Sequence, residues 1–150
     1  MIKLFTIGFT KKDAKTFFDL LNNNGVTLIV DVRLNNTSQL AGFSKYPDIE
    51  YFLKKCANCI YISDKKFSPE ETTLNDYKKK KISWDEYVLQ FNATMKKRNI
   101  FEYIKNNYSN IVNHQNICFL CSEETPEHCH RRLIAEMFAQ VFDAKIIHLK

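Results

Sequence analysis

Val26-Thr27-Leu28-Ile29-Val30-Asp31-Val32, running into Arg33, decides the fold. The run is rich in β-branched residues and does not alternate apolar with polar. That pattern marks a strand buried on both faces, as in a parallel sheet covered by helices. Upstream, Leu4 to Ile7 is a second such run, ended by Gly8. Between the two, Ala14, Phe17, Phe18 and Leu21 recur at helical spacing. Thr10 with Asp13 supplies an N-cap and an acidic first turn, and Asn22-Asn23-Asn24-Gly25 stops that helix.

Downstream, Pro47 suits the first residue of a helix, with Asp48 and Glu50 in its first turn and Ile49, Phe52 and Leu53 on its apolar face. Ile60 to Ile62 is a third strand, and the Lys-rich stretch Asp64 to Ile82 reads as a long loop. Ser83 and Glu86 form a capping box. Tyr87, Val88, Phe91, Met95, Ile100, Tyr103 and Ile104 continue a helical pattern with a break near Asn99. Ile117 to Cys121 is a fourth strand. Leu133, Ile134, Met137, Phe138 and Val141 mark a last helix, and Ala144 to Leu149 a last strand. The order β-α-β-α-β-α-β-α-β predicts an α/β fold: a single domain, residues 1–150, with a mostly parallel five-stranded sheet and helices on both faces.

Composition agrees with one ordinary domain. The chain has 150 residues, 45% of them apolar, which suffices for one buried core. A net charge of +5 permits an anionic partner without demanding one. The Lys78–Lys81 and Lys96–Arg98 runs lack the interleaved aromatics of a nucleic-acid surface and read first as solvated faces. No stretch approaches the roughly 20 apolar residues needed to cross a bilayer. The apolar N-terminus soon meets Lys11-Lys12 and reads as a strand rather than a signal peptide. A cytoplasmic location is therefore expected, with the five cysteines as free thiols.

Parallel sheets bind ligands at the carboxyl ends of their strands. Those ends are Thr6-Ile7-Gly8-Phe9-Thr10, Asp31-Val32-Arg33, Ser63-Asp64 and Cys121-Ser122-Glu123-Glu124, the last leading to His128-Cys129-His130-Arg131-Arg132 at a helix start. Asp31 and Arg33, two apart, share a face and form either a structural ion pair or a ligand contact. Cys121 is the candidate nucleophile: helix N–H groups and a nearby Arg or His would favour its thiolate, while Glu123 and Glu124 would oppose it. Arg131 and Arg132 in a first helical turn oppose the helix dipole, which suggests a bound anion or a carboxylate partner.

Zinc is the rival use of Cys121, Cys129 and His130, with His128 beside them. Cys118 and Cys121 match C-x-x-C, but residues three apart in a strand face opposite ways. Cys118, Cys56 and Cys59 are therefore expected to be packing residues. Trp84, Tyr87 and Phe91 make an aromatic stripe that reads as core.

Taken together, Thr6-Ile7-Gly8-Phe9-Thr10, Asp31-Val32-Arg33 with Ser38 and Phe43, Trp84 with Tyr87, Cys121-Ser122-Glu123 and Cys129-His130-Arg131 resemble the domain of unknown function 488 family over nearly the whole chain. The resemblance implies an α/β fold and a site at the matched positions. Cys121, Glu123 and His130 are then the catalytic candidates. Gly8, Thr10, Asp31, Arg33, Ser38, Cys129 and Arg131 are the substrate-binding ones. It implies no reaction. Two loops depart from the family pattern: Leu34-Asn35-Asn36-Thr37 lacks a proline, and Lys65-Lys66-Phe67-Ser68 lacks a glycine pair.

Three functions follow. One is an enzyme with Cys121 as nucleophile, His130 moving protons, and Arg33 and Arg131 holding an anionic substrate. The second is a module binding nucleic acid or a nucleotide. The third is a zinc protein using Cys121, Cys129 and His130. A phosphatase is disfavoured, because Glu127 stands where a C-x5-R loop needs arginine. No cofactor and no oligomeric state follow from the sequence.

Overall fold

The structure, a computed structural model, describes residues 1–37 and 42–150. In chain order it contains β1 (Lys3–Gly8), α1 (Ala14–Asn23), β2 (Leu28–Asp31), α2 (Asp48–Ala57), β3 (Ile60–Ser63) and α3 (Glu71–Lys78). There follow α4 (Trp84–Lys97), α5 (Ile100–Tyr108), α6 (Ile111–His114), β4 (Ile117–Cys121), α7 (His130–Phe142) and β5 (Lys145–Leu149). Among the described residues the five strands form one sheet in the order β3-β2-β4-β1-β5, and every neighbouring pair is parallel. The α/β fold expected from the sequence is the fold found.

Strand alternation divides the core in two. On one face Phe17, Phe18, Leu21, Ile49 and Leu53 of α1 and α2 pack on Phe5, Ile7, Ile29 and Leu120. On the other, Phe91, Ile104 and Phe138 of α4, α5 and α7 pack on Leu4, Leu28, Val30 and Phe119. The helices after β1 and β2 therefore cover one face, while the helix after β4, the strand between them, covers the other. Connections that part in this way leave a crevice at the strands' carboxyl ends. The candidate residues of β1, β2 and β4 meet there.

Several local expectations need adjustment. The stretch 64–82 is not all loop: it holds a short 3-10 turn at Lys65–Phe67 and the helix α3. That helix has little apolar signal because its contacts are polar and aromatic. Thr73 bonds Gln90 at 3.0 Å, and the Tyr77 ring lies 5.6 Å from Trp84 and 5.2 Å from Tyr87. The cap of α1 is Asp13, whose Oδ1 accepts the Thr16 N–H at 2.8 Å, and Thr10 stands outside the helix. The break at Asn99 is present, as a residue with φ of 52° between α4 and α5.

Ser83 caps α4, accepting the Glu86 N–H at 3.1 Å, although the Glu86 side chain turns to Gln90 instead of completing the box. Replacing Ser83 with Ala should cost about 1 kcal/mol, read as a lower urea midpoint with unchanged slope. The lysine runs close α3 and α4, where cations suit the negative end of the helix dipole. Arg98 also bonds the carbonyls of Lys66 and Ser68 at 3.0 and 2.7 Å. Among the described residues no helix is long and apolar enough to cross a membrane.

Candidate functional site

β4 delivers Cys121 to the crevice, and the chain then loops through residues 122–129 before α7 begins at His130. The start of this loop is held by its carbonyls. Ser122 O accepts from the Thr10 amide at 3.1 Å and from Thr10 Oγ1 at 2.6 Å. Glu123 O accepts from Arg131 Nη1 at 2.7 Å. Gly8 makes this approach sterically open: a Cβ there would lie 1.6 Å from Glu123 O.

Three side chains with sulfur or imidazole donor atoms converge below the loop. Cys121, Cys129 and His130 are 7%, 3% and 5% exposed, and their sulfur and nitrogen atoms all lie within 4.8 Å of one another. Cys121 Sγ is 3.6 Å from His130 Nδ1. The other ring nitrogen, Nε2, is 2.7 Å from the carbonyl oxygen of Val32. A carbonyl only accepts, so Nε2 carries the hydrogen and, in the neutral ring, Nδ1 is the bare nitrogen. The sulfur lies to the side of the Nδ1 lone pair, since it is also 4.0 Å from Nε2. The sequence offered no sign of this bond, because a main-chain carbonyl leaves no trace in residue type.

The two thiols are driven apart in acidity. The Cys129 S–H donated to Cys121 holds the Cys121 pKa below the ordinary thiol value. Burial works against this, the Ser122 amide and Arg131 assist, and Asp31 opposes. Burial, and then the bond to Cys121, push Cys129 well above the ordinary value. Cys121 is thus the more acidic of the two thiols and Cys129 the donor. Cys118 faces the opposite core, and burial raises it well above the ordinary value. Cys59 is likewise buried, whereas Cys56, expected to pack, is exposed on the last turn of α2. Position 56 falls on the outer side of that helix, next to Lys54 and Lys55.

Arg131 is fully buried. Its Nε and Nη2 have no hydrogen-bond partner among the described residues. A buried guanidinium without a counter-charge is costly. Its field favours the anionic form of Cys121. Arg132, by contrast, pairs with Glu136 at 2.8 Å along the helix.

Asp31 and Arg33 form a buried pair at 0% and 4% exposure. Arg33 Nε bonds Asp31 Oδ1 at 2.9 Å, and Arg33 Nη2 bonds Asp31 Oδ2 at 2.8 Å and Ser44 O at 2.7 Å. Tyr61, which the sequence did not single out, donates to Asp31 Oδ2 at 2.6 Å and receives Asn36 Nδ2 at 3.1 Å. Burial first, and then Asp31, push the Tyr61 phenol far up. The structural ion pair is thus realised in this bidentate network. The two loops that depart from the family pattern meet beside it, where Lys65 Nζ bonds the carbonyls of Arg33 and Leu34.

The Glu123 side chain is exposed, and the residue joins the site through its carbonyl. Glu124 pairs with Lys11 at 3.4 Å on the surface. His128 is exposed and stacks on Trp84, ring centroids 5.3 Å apart. Ser38 lies outside the described residues. A groove of about 720 Å³ between α4, α5 and α7 includes none of the candidate residues.

These features define a parallel α/β protein with a cysteine–histidine centre at the end of its middle strand. The family described as a domain of unknown function, DUF488, matches residues 13–138, and the chain belongs to it. No curated protein and no solved structure matches the chain.

Proposed function

We propose that the chain is an enzyme whose nucleophile is the Cys121 thiolate. The observation that carries this reading is the fully buried Arg131, which has no carboxylate partner among the described residues and whose field favours the anionic form of Cys121. Asp31 is engaged by Arg33 and Tyr61, so Cys121 is the group left to supply the negative charge. His130 supports the same reading. Val32 O holds Nε2–H, and a turn of the ring toward the sulfur lets Nδ1 take the Cys121 proton. The thiolate then attacks an electrophilic centre, and the imidazolium returns the proton to the leaving group. An anionic substrate would share Arg131 with the thiolate, because Arg33 is committed to Asp31 and Ser44. The 7% exposure of Cys121 favours a small reactant.

Alkylation tests this. In chelator-treated protein carrying Cys56→Ser, iodoacetamide should modify Cys121 first, with a pH midpoint below the roughly 8.5 of a free thiol. Arg131→Met should raise that midpoint. Labelling of Cys121 no faster than of Cys59 or Cys118, located by peptide mass, would remove the nucleophile. The pKa of Cys121 is lower in the folded chain than in the unfolded one. By itself this thiol therefore contributes stability above its unfolded pKa that is lost as pH falls through the folded value. Cys59, Cys118 and Cys129, which are raised, contribute with the opposite sign.

A further inference from the structure

The same three side chains have a geometry that proton transfer alone does not require. Zinc binds thiolate sulfur at about 2.3 Å and imidazole nitrogen at about 2.0–2.1 Å, which sets a tetrahedral S···N edge near 3.5 Å. The Cys121 Sγ to His130 Nδ1 separation is 3.6 Å; Sγ is also 4.0 Å from Nε2, so the ring turns to aim Nδ1 at an ion shared with that sulfur. The second sulfur, Cys129, completes a group whose ligand atoms lie within 4.8 Å of one another. The distal nitrogen of His130 is bonded to a main-chain carbonyl, the outer contact that fixes ring orientation and tautomer in metal-ligating histidines. Two thiolates would cancel the charge of a divalent ion, so the buried site would gain no net charge from the metal and its ligands.

We propose that Cys121 Sγ, Cys129 Sγ and His130 Nδ1 form a zinc site with a fourth position left for water or a small ligand. This goes beyond the thiolate reading, since it makes Cys129 and His130 direct ligands and requires no chemistry at Cys121. With zinc bound, the Cys121 sulfur is occupied as a ligand and alkylation is suppressed. The ion must displace the thiol protons. Uptake therefore releases protons and tightens as pH rises.

The test uses the full chain, stripped by chelator and titrated separately with zinc sulfate and cobalt chloride. The expected result is one ion per chain. Cobalt should give thiolate charge-transfer bands in the near ultraviolet and the intense visible bands of a tetrahedral centre. Cys129→Ser and His130→Ala should lose stoichiometric uptake, while Cys56→Ser, at an exposed thiol, retains it. If either ligand variant does not fold, the cobalt spectrum and the proton release of the unaltered chain decide. A stripped, folded chain that takes up less than stoichiometric zinc overturns the proposal, as does uptake unchanged in folded Cys129→Ser. Failure of zinc uptake with rapid alkylation intact would remove the metal alone and leave the thiolate reading standing.

Discussion

Asp31→Ala should destabilise the protein by about 3–5 kcal/mol, because it leaves the Arg33 charge buried without its carboxylate. The substitution removes both arms of the bidentate contact, at 2.9 and 2.8 Å, and the acceptor of the Tyr61 hydroxyl. Urea unfolding would show this as a large fall in midpoint. The double variant Asp31→Leu, Arg33→Met should recover much of the loss, since apolar groups in place of both charges leave nothing buried and unpaired. A single Asp31→Ala variant as stable as the parent would mean that the pair does not bear on the end of β2.

Gly8→Ala should be nearly as damaging, at about 3 kcal/mol, the upper end of what overpacking usually costs. The added carbon would sit 1.6 Å from Glu123 O, 2.7 Å from its carbonyl carbon and 3.0 Å from Arg131 Nη1. Two of these are main-chain atoms, so the loop must move as a whole. It would surrender the Arg131 bond to Glu123 and the Thr10 bonds to Ser122. Fast alkylation of Cys121 should disappear together with the stability. Gly42→Ala is the control, for a Cβ there meets nothing within 4 Å. Equal midpoints for the two variants would contradict the clash.

Much of the fold could be read from residue type, because the strands of a doubly covered parallel sheet are continuous apolar runs. Leu28–Asp31 and Ile117–Cys121 are buried along their whole length. α3 escaped notice because its buried residue is Thr73 and its packing runs through Tyr77. The gathering of the candidate residues was also legible, since the topology brings together the ends of β1, β2 and β4. The distribution of tasks within it was not. Cys121, Cys129 and His130 converge as their types suggest. What separates Arg33 from Arg131 is their surroundings: Asp31, Tyr61 and Ser44 O around the first, Glu123 O and a thiol around the second. Several of those groups are main-chain atoms, and sequence does not encode where a carbonyl points.

The fastening of the loop after β4 by Ser122 O and Glu123 O has a consequence for how this family can diversify. Every residue type carries a carbonyl, so substitution at either position preserves the anchor. Glu123, Glu124, Thr125, Glu127 and His128 are all exposed, and changing their side chains removes neither carbonyl anchor. Variation along that rim can reshape the surface above the sulfur and imidazole without disturbing them. The invariable demands fall instead on the partners that grip the carbonyls: Thr10, Arg131 and the bare backbone at Gly8.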